Sequence, residues 1–460
     1  MKLLKLLFFL LLSIPASAQT QLGTDIDGSG VGDRCGWSVE VSDDGQKVVV
    51  GSPRNNPNFL GLYGKGQARV FEYVNNSWIQ LGNSIDGIKD EQALGFSVGI
   101  SGNGNKIAVG SIGDNGMGST GLVTVYKDSS GFWIKQGNSL GGDNIGWALD
   151  LSDDGTTLAV SSGIGLVRVF KWVNSSWTQI GYDITGIPGT GWGIELSYNG
   201  EVLAVGTESD TGYVKTYSLL NDTIVPLANT IYQNTTNGGY GFAYSISLAD
   251  AGNRLAVGDF AAGYVSVYEL NNNVWVKIGS DIVPSYYSVD FGFSISLSSF
   301  GGTLAIGSRQ TSGNGLGSGR TEVYEWSYQS NDWILISYIN GEISQDQSGY
   351  SVSLSDSGSV VAIGAPYHIP GGQVRIYDLG TLEVTEKPMY NLIFRPNPTS
   401  GILNIVVNSL SEYEVFNING QRVAQGNTEG QIDITNLPTG SYQIIITNDD
   451  GRSTHTIQKI

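Results

Sequence analysis

One pattern constrains this chain more than any other: a unit of roughly fifty residues, written seven times. It reads Gly-aromatic-small-apolar-x-apolar-Ser, turn, apolar-Ala-Val-Gly-Ser, loop, Gly-x-Val-x-Val-Tyr, turn, Trp-x-x-x-Gly-x-x-Ile. The unit begins at Gly36, Gly95, Gly146, Gly191, Ala243, Gly292 and Gly349, at spacings of 59, 51, 45, 52, 49 and 57 residues. Each copy holds four strand signals. The first alternates, as in Trp37-Ser38-Val39-Glu40-Val41, and the second is continuously apolar, as in Val48-Val49-Val50. The third is Val123-Thr124-Val125-Tyr126 and its counterparts, and the fourth opens at Trp78, Trp133, Trp177, Trp275 or Trp333, with Ile224 in the fourth copy. Tight turns such as Ser42-Asp43-Asp44-Gly45 join the first two strands.

Four antiparallel strands per copy predict a propeller blade, and a blade that cannot bury both faces alone must stack on its neighbours around an axis. The first strand carries Trp37, Val39 and Val41 on one face and Ser38 on the other, where later copies have Ser97, Ala148, Gly193, Ser294 and Ser351. A bulky face against a small one lets adjacent sheets interdigitate. On that parity the series Trp37, Phe96, Trp147, Trp192, Tyr244, Phe293 and Tyr350 is expected to pack between blades rather than to form a ligand-stacking ring.

Closure has its own signature. The seventh copy ends at Ile376-Tyr377 without a fourth strand, while Gln21-Leu22-Gly23-Thr24-Asp25-Ile26-Asp27-Gly28 matches the fourth-strand segment Gln80-Leu81-Gly82-Asn83-Ser84-Ile85-Asp86-Gly87. The two ends are therefore expected to share a blade, which removes an exposed sheet edge. The predicted fold class is all-β: a seven-bladed β-propeller closed by the N-terminal strand, followed by a small C-terminal β-sandwich.

The start of the chain reads as a secretory signal peptide over 1–18: Lys2 and Lys5, an apolar run from Leu6 to Leu12, then Ala16-Ser17-Ala18. No later segment has about 18 consecutive apolar residues, so no transmembrane anchor is expected. The formal net charge is −18, and −20 once Lys2 and Lys5 are gone; such a surface repels nucleic acid and anionic lipid. Cys35 is the one cysteine, so no intramolecular disulfide can form, and it reads as a small buried residue.

The elements Gly95-Phe96-Ser97-Val98 with Val109-Gly110-Ser111, and Tyr350-Ser351-Val352 with Gly364-Ala365-Pro366, resemble the FG-GAP repeat family of integrin-alpha-like propellers, over residues 21–379. Members of that family often carry an Asp-x-Asp-x-Asp-Gly calcium loop. Here the matching turns are short, as at Ser101–Gly104 and Ser298–Gly301, and no metal or other cofactor is expected. After a linker at 380–389, the run Pro396-Asn397-Pro398-Thr399-Ser400-Gly401, then Gly420-Gln421-Arg422-Val423, then Leu437-Pro438-Thr439-Gly440-Ser441-Tyr442 resembles the type A C-terminal sorting domain of the Bacteroidota type IX secretion system, over 390–460. That resemblance implies passage through the periplasm and outer membrane by the type IX machinery, then release or attachment at the cell surface.

Chemistry is sparse. With only His368 and His455 available, a Ser/His/Asp or Cys/His arrangement would need His368, which lies in a loop with no motif around it, and a histidine-based zinc site has too few ligands. Glu40, Asp150 and Glu195 share one first-strand position, where other copies have Gly99, Ser247, Ser296 and Ser353, and are expected to line the central channel. Paired carboxylates can hydrolyse glycosides, so a polysaccharide-active enzyme is one alternative, and a noncatalytic surface scaffold with no dedicated ligand is the other. The preferred reading is a noncatalytic, monomeric propeller that binds an extracellular protein or glycan. Long, dissimilar loops fall on one face, and Phe59, Leu60, Leu62 and Tyr63 in the first of them form the candidate contact patch.

Overall fold

The computed structural model describes residues 19–55, 64–113, 121–185, 193–207, 212–233, 241–249, 252–380, 399–405, 411–417, 422–428, 430–448 and 451–459. The chain divides after Gly380 into two compact units. In the first, the described residues form seven antiparallel sheets, and in six of them strand order follows chain order from the axis outward. Blade one, for example, runs Ser38–Val41, Lys47–Ser52, Gln67–Val74 and Ser77–Gln80. The second strands are buried along almost their whole length, which is why they read as unbroken apolar runs.

Blade seven is completed from the other end of the chain. Thr20–Gln21 pairs with Gln373–Asp378, and Ile26–Asp27 pairs with the same strand further along. Ile26 is buried among Val39, Val48, Val374 and Ile376, while Leu22 packs against that cluster. The Trp78 indole N–H of blade one donates to the Leu22 carbonyl at 2.8 Å, as Trp133 of blade two does to Leu81.

The repeat's small residues have a common explanation. The Oγ of Ser38, Ser97, Ser245, Ser294 and Ser351 each donates to a carbonyl at the start of the next blade: Gly95, Gly146, Gly292, Gly349 and Gly36. That approach leaves no room for a side chain on the facing second strand. A Cβ at Gly51 would lie 2.1 Å from the Gly95 oxygen, and one at Gly307 2.2 Å from that of Gly349. The Gly of the Ala-Val-Gly-Ser signature is thus a blade-contact residue. In the tight turns, Ser42 Oγ donates to Asp44 and accepts from the Lys47 N–H, while Gly45 takes φ +69°.

The second unit has a four-stranded sheet, ordered Arg422–Thr428, Ser411–Asn417, Gly440–Asn448, Gly451–Lys459, and a two-stranded one of Ile402–Asn404 and Gln431–Asp433. Leu403, Val415, Ile432, Tyr442, Ile444, Ile446 and Ile457 fill one core.

Candidate functional site

The seven inner strands surround a channel of about 340 Å3, and Glu40, Asp150 and Glu195 all line it. Their carboxylates are engaged in a regular way. At this register each side chain accepts from a backbone N–H of the next blade: Ile100 to Glu40 at 3.0 Å and Leu196 to Asp150 at 2.5 Å. The serines do the same, with Leu297 donating to Ser247, Leu354 to Ser296 and Val41 to Ser353 at 2.9–3.1 Å. Glu195 accepts from the Leu248 N–H and from Ser247 Oγ. Acid and serine are interchangeable here because both supply an acceptor that ties one blade to the next.

Burial raises all three carboxyls. Asp150 is pushed up to about 6, against opposing hydrogen bonds from Leu196 and Leu151. Glu40 and Glu195 rise well above the usual range, through burial first and then the neighbouring Asp150 charge. Among the described residues, no Lys, Arg or His lines the channel.

One end of the channel corrects the sequence expectation. The aromatic series does not simply fill the space between blades: Tyr244, Phe293, Tyr350, Trp37, Phe96 and Trp147 contact one another in turn, with centroids 4.8–5.5 Å apart, and line the channel. The blades converge at the start of the inner strand, so side chains that leave toward the preceding blade meet their counterparts instead. Trp192 lies outside the described residues. At the other end, the short turns interlock by Asp43 N–H to Gly102 O, Gly102 N–H to Asp153 O and Asp356 N–H to Asp43 O. This brings carboxylate oxygens of Asp43, Asp153 and Asp356 within 4.8 Å of one another, a convergence that inspection of single turns missed.

The face bearing the long connections carries a second feature. The junctions of blades six/seven, seven/one and one/two are built alike. In each, a buried or half-buried side chain accepts from the loop backbone: Asp346 from Glu342 and Ile343, Asp33 from Gly30, and Gln92 from Ile88 and Lys89. Each loop then presents an apolar side chain to solvent: Ile343 at 41%, Val31 at 78% and Ile88 at 82% exposure. Tyr287, Leu316 and Ile369 are exposed on the same face. Sequence reasoning looked for apolar clusters within one loop and overlooked single residues repeated across three.

Of the remaining candidates, Phe59, Leu60, Leu62 and Tyr63 lie outside the described residues, as do Pro396, Asn397, Pro398 and Gly420. In the second unit, Gly440 opens a strand, Gly401 and Leu437 flank the small core, and the Tyr442 hydroxyl donates to the Pro438 carbonyl at 2.7 Å. His368 contacts the buried Asp346 at 3.1 Å and braces a junction loop. Cys35 is fully buried, its thiol pushed up to about 11 by that burial.

These features define the chain's first unit as a seven-bladed β-propeller. The β-propeller domain of Cps50 (Swd1) from Myceliophteria thermophila is similar, with a TM-score of 0.54 at 11% identity, covering 78% of this chain and 99% of that one; the likeness is one of fold alone. Residues 393–460 match the family described as secretion system C-terminal sorting domain. A tail of this kind engages the type IX secretion machinery and marks export to the cell surface or extracellular space. No curated relative matches the sequence, and no helix among the described residues is long and apolar enough to cross a membrane.

Proposed function

We propose that the exported propeller is a noncatalytic binding module, acting in adhesion or capture, which meets its partner through the face that carries the long connections. The observation that carries this reading is the arc of Ile343, Val31 and Ile88, three apolar side chains held outward on loops whose backbones are internally hydrogen-bonded. Binding usually resides in loops held by a rigid scaffold, and apolar side chains on them favour a protein over a glycan as the partner. The loop of Phe59, Leu60, Leu62 and Tyr63 is read as extending the same surface. The repeats are read as FG-GAP units in a monomeric Bacteroidota protein that passes through periplasm and outer membrane. Against the enzyme alternative stands the use of Glu40, Asp150 and Glu195 as acceptors between blades.

The test is to probe outer-surface and host extracellular proteins, and a glycan array, with the mature chain, and then with Val31→Asp, Ile88→Asp and Ile343→Asp combined. Affinity for the captured partner should fall at least tenfold, roughly 1.4 kcal/mol or more, with the melting temperature unchanged. Full affinity in the folded triple variant would overturn the assignment of this face.

A further inference from the structure

In blades one, three, five and seven a slot lies between the third strand and the connection arriving from the preceding blade. In blades one, three and seven a third-strand arginine fills it, at one register: Arg69 opposite Val50, Arg168 opposite Val160 and Arg375 opposite Ile363. The guanidinium meets acceptors from the arriving chain or its own blade's outer strand. Arg69 donates to the Asp27 carbonyl at 2.6 Å and Arg375 to that of Asn340 at 2.8 Å. Arg168 grips both oxygens of Asp183 at 2.9–3.0 Å and also reaches Asp143.

Blade five departs from this plan. The same register, opposite Val257, is Ser266, and the slot is a cavity of about 280 Å3. Its walls include Tyr232, Tyr264 and Tyr268, with Asp259 and Asp281. Tyr232 holds the place of Asp27 and Asn340, pairing with the first residue of the preceding blade's third strand as they do. Asp281 holds the place of Asp183, two residues past the outer-strand Gly, and accepts from Ser266. Asp259 stands where blades one, three and seven have Ser52, Ser162 and Ala365, so at this position the slot that lacks the arginine gains a carboxylate, whose oxygens accept from the Ala262 N–H and the Gln233 amide.

We infer that the cavity between blades four and five receives a guanidinium, carried by an arginine side chain of an extracellular peptide or protein. Carboxylates pair with the planar donor fork, and aromatic faces suit its weakly hydrated cation. Lys277 lines the cavity and pairs with Asp281. In blade three the equivalent residue is Gln179, which bonds Asp183 alongside Arg168, so one carboxylate serves both partners. Lys277 therefore tempers the affinity without excluding the ligand.

The test is a titration of the mature chain, by NMR or calorimetry, with N-acetyl-L-arginine amide, its neutral isostere N-acetyl-L-citrulline amide, and free L-arginine. The arginine amide should bind saturably and at least tenfold more tightly than the citrulline amide. Lys277→Gln should strengthen binding about threefold. Ser266→Arg should fill the slot from within, abolishing binding while raising the melting temperature; if that variant fails to fold, Asp281→Asn should abolish binding in its place. Equal binding of arginine and citrulline amides, binding retained by folded Ser266→Arg or Asp281→Asn, or displacement of the probe by a neutral oligosaccharide would overturn the guanidinium assignment. Tighter binding of free arginine than of the blocked form would overturn the peptide-borne source.

Discussion

Deleting Gln21–Gly28 from the mature chain removes the outer strand of blade seven. The lost side chains are Ile26, only 3% exposed, and Leu22, packed on the same cluster. Their burial is worth about 3–5 kcal/mol together. The deletion also strips backbone partners from the third strand of blade seven, where Leu22 N–H meets Ile376 O at 2.8 Å and Gly28 N–H meets Gly372 O at 2.9 Å. The Trp78 indole loses its acceptor on Leu22. Each such loss costs about 1 kcal/mol, so the total approaches half or more of a typical domain's stability. Denaturant unfolding followed by tryptophan fluorescence reads the effect, since Trp78 and Trp333 lie in the flanking blades one and six. The midpoint of the propeller transition should drop sharply, and Ile26→Asp should reproduce much of the drop. An unchanged midpoint in the deletion would refute closure by the N-terminal strand.

Three further outcomes are expected. Because burial raises the channel carboxyls, the folded state holds their protons more tightly than the unfolded chain; the stability this contributes is full below about pH 4 and is lost as pH rises through the folded value, about 6 for Asp150. Asp150→Asn keeps an acceptor for Leu196, so its melting temperature should match wild type near pH 4 and exceed it at pH 8, by an energy of about 1–3 kcal/mol; equal pH profiles would show the charge to be inconsequential. Removing residues 390–460 should leave the propeller folded but retained inside the outer membrane, and normal surface delivery of that truncation would remove the role given to the tail. A chelator should leave the propeller's melting temperature unchanged, since Asp43, Asp153 and Asp356 offer one ligand atom each where calcium takes six to eight; a calcium-reversible drop would show that the turns act together as a site.

The repeat made the blades and their closure legible because periodicity is a property of the chain itself: Gln21–Gly28 matches Gln80–Gly87 whatever the fold. The channel position of Glu40, Asp150 and Glu195 followed from the same register. What those side chains do there did not follow, because the Ile100 and Leu196 N–H groups they accept from belong to other blades. Strand parity misread Trp37 and its counterparts for a similar reason: alternation says which face a side chain leaves from, and convergence at the axis decides what it meets. Ser266 looks like an unremarkable small residue until pairing aligns it with Arg69, Arg168 and Arg375. Asp33, Gln92 and Asp346 cap their loops from sequence contexts too different to align by eye.

Binding without turnover is the central claim, and it is tested most directly on one set of samples. The mature chain, and its Glu40→Gln, Asp150→Asn, Glu195→Gln variant, would be incubated with each captured partner and with a panel of polysaccharides, with bound ligand and any shortened products quantified together. The account predicts a partner bound equally by both proteins and no products from either. Shortened products released by the wild-type chain and lost in the folded amide variant would contradict it, and would make the channel an active site.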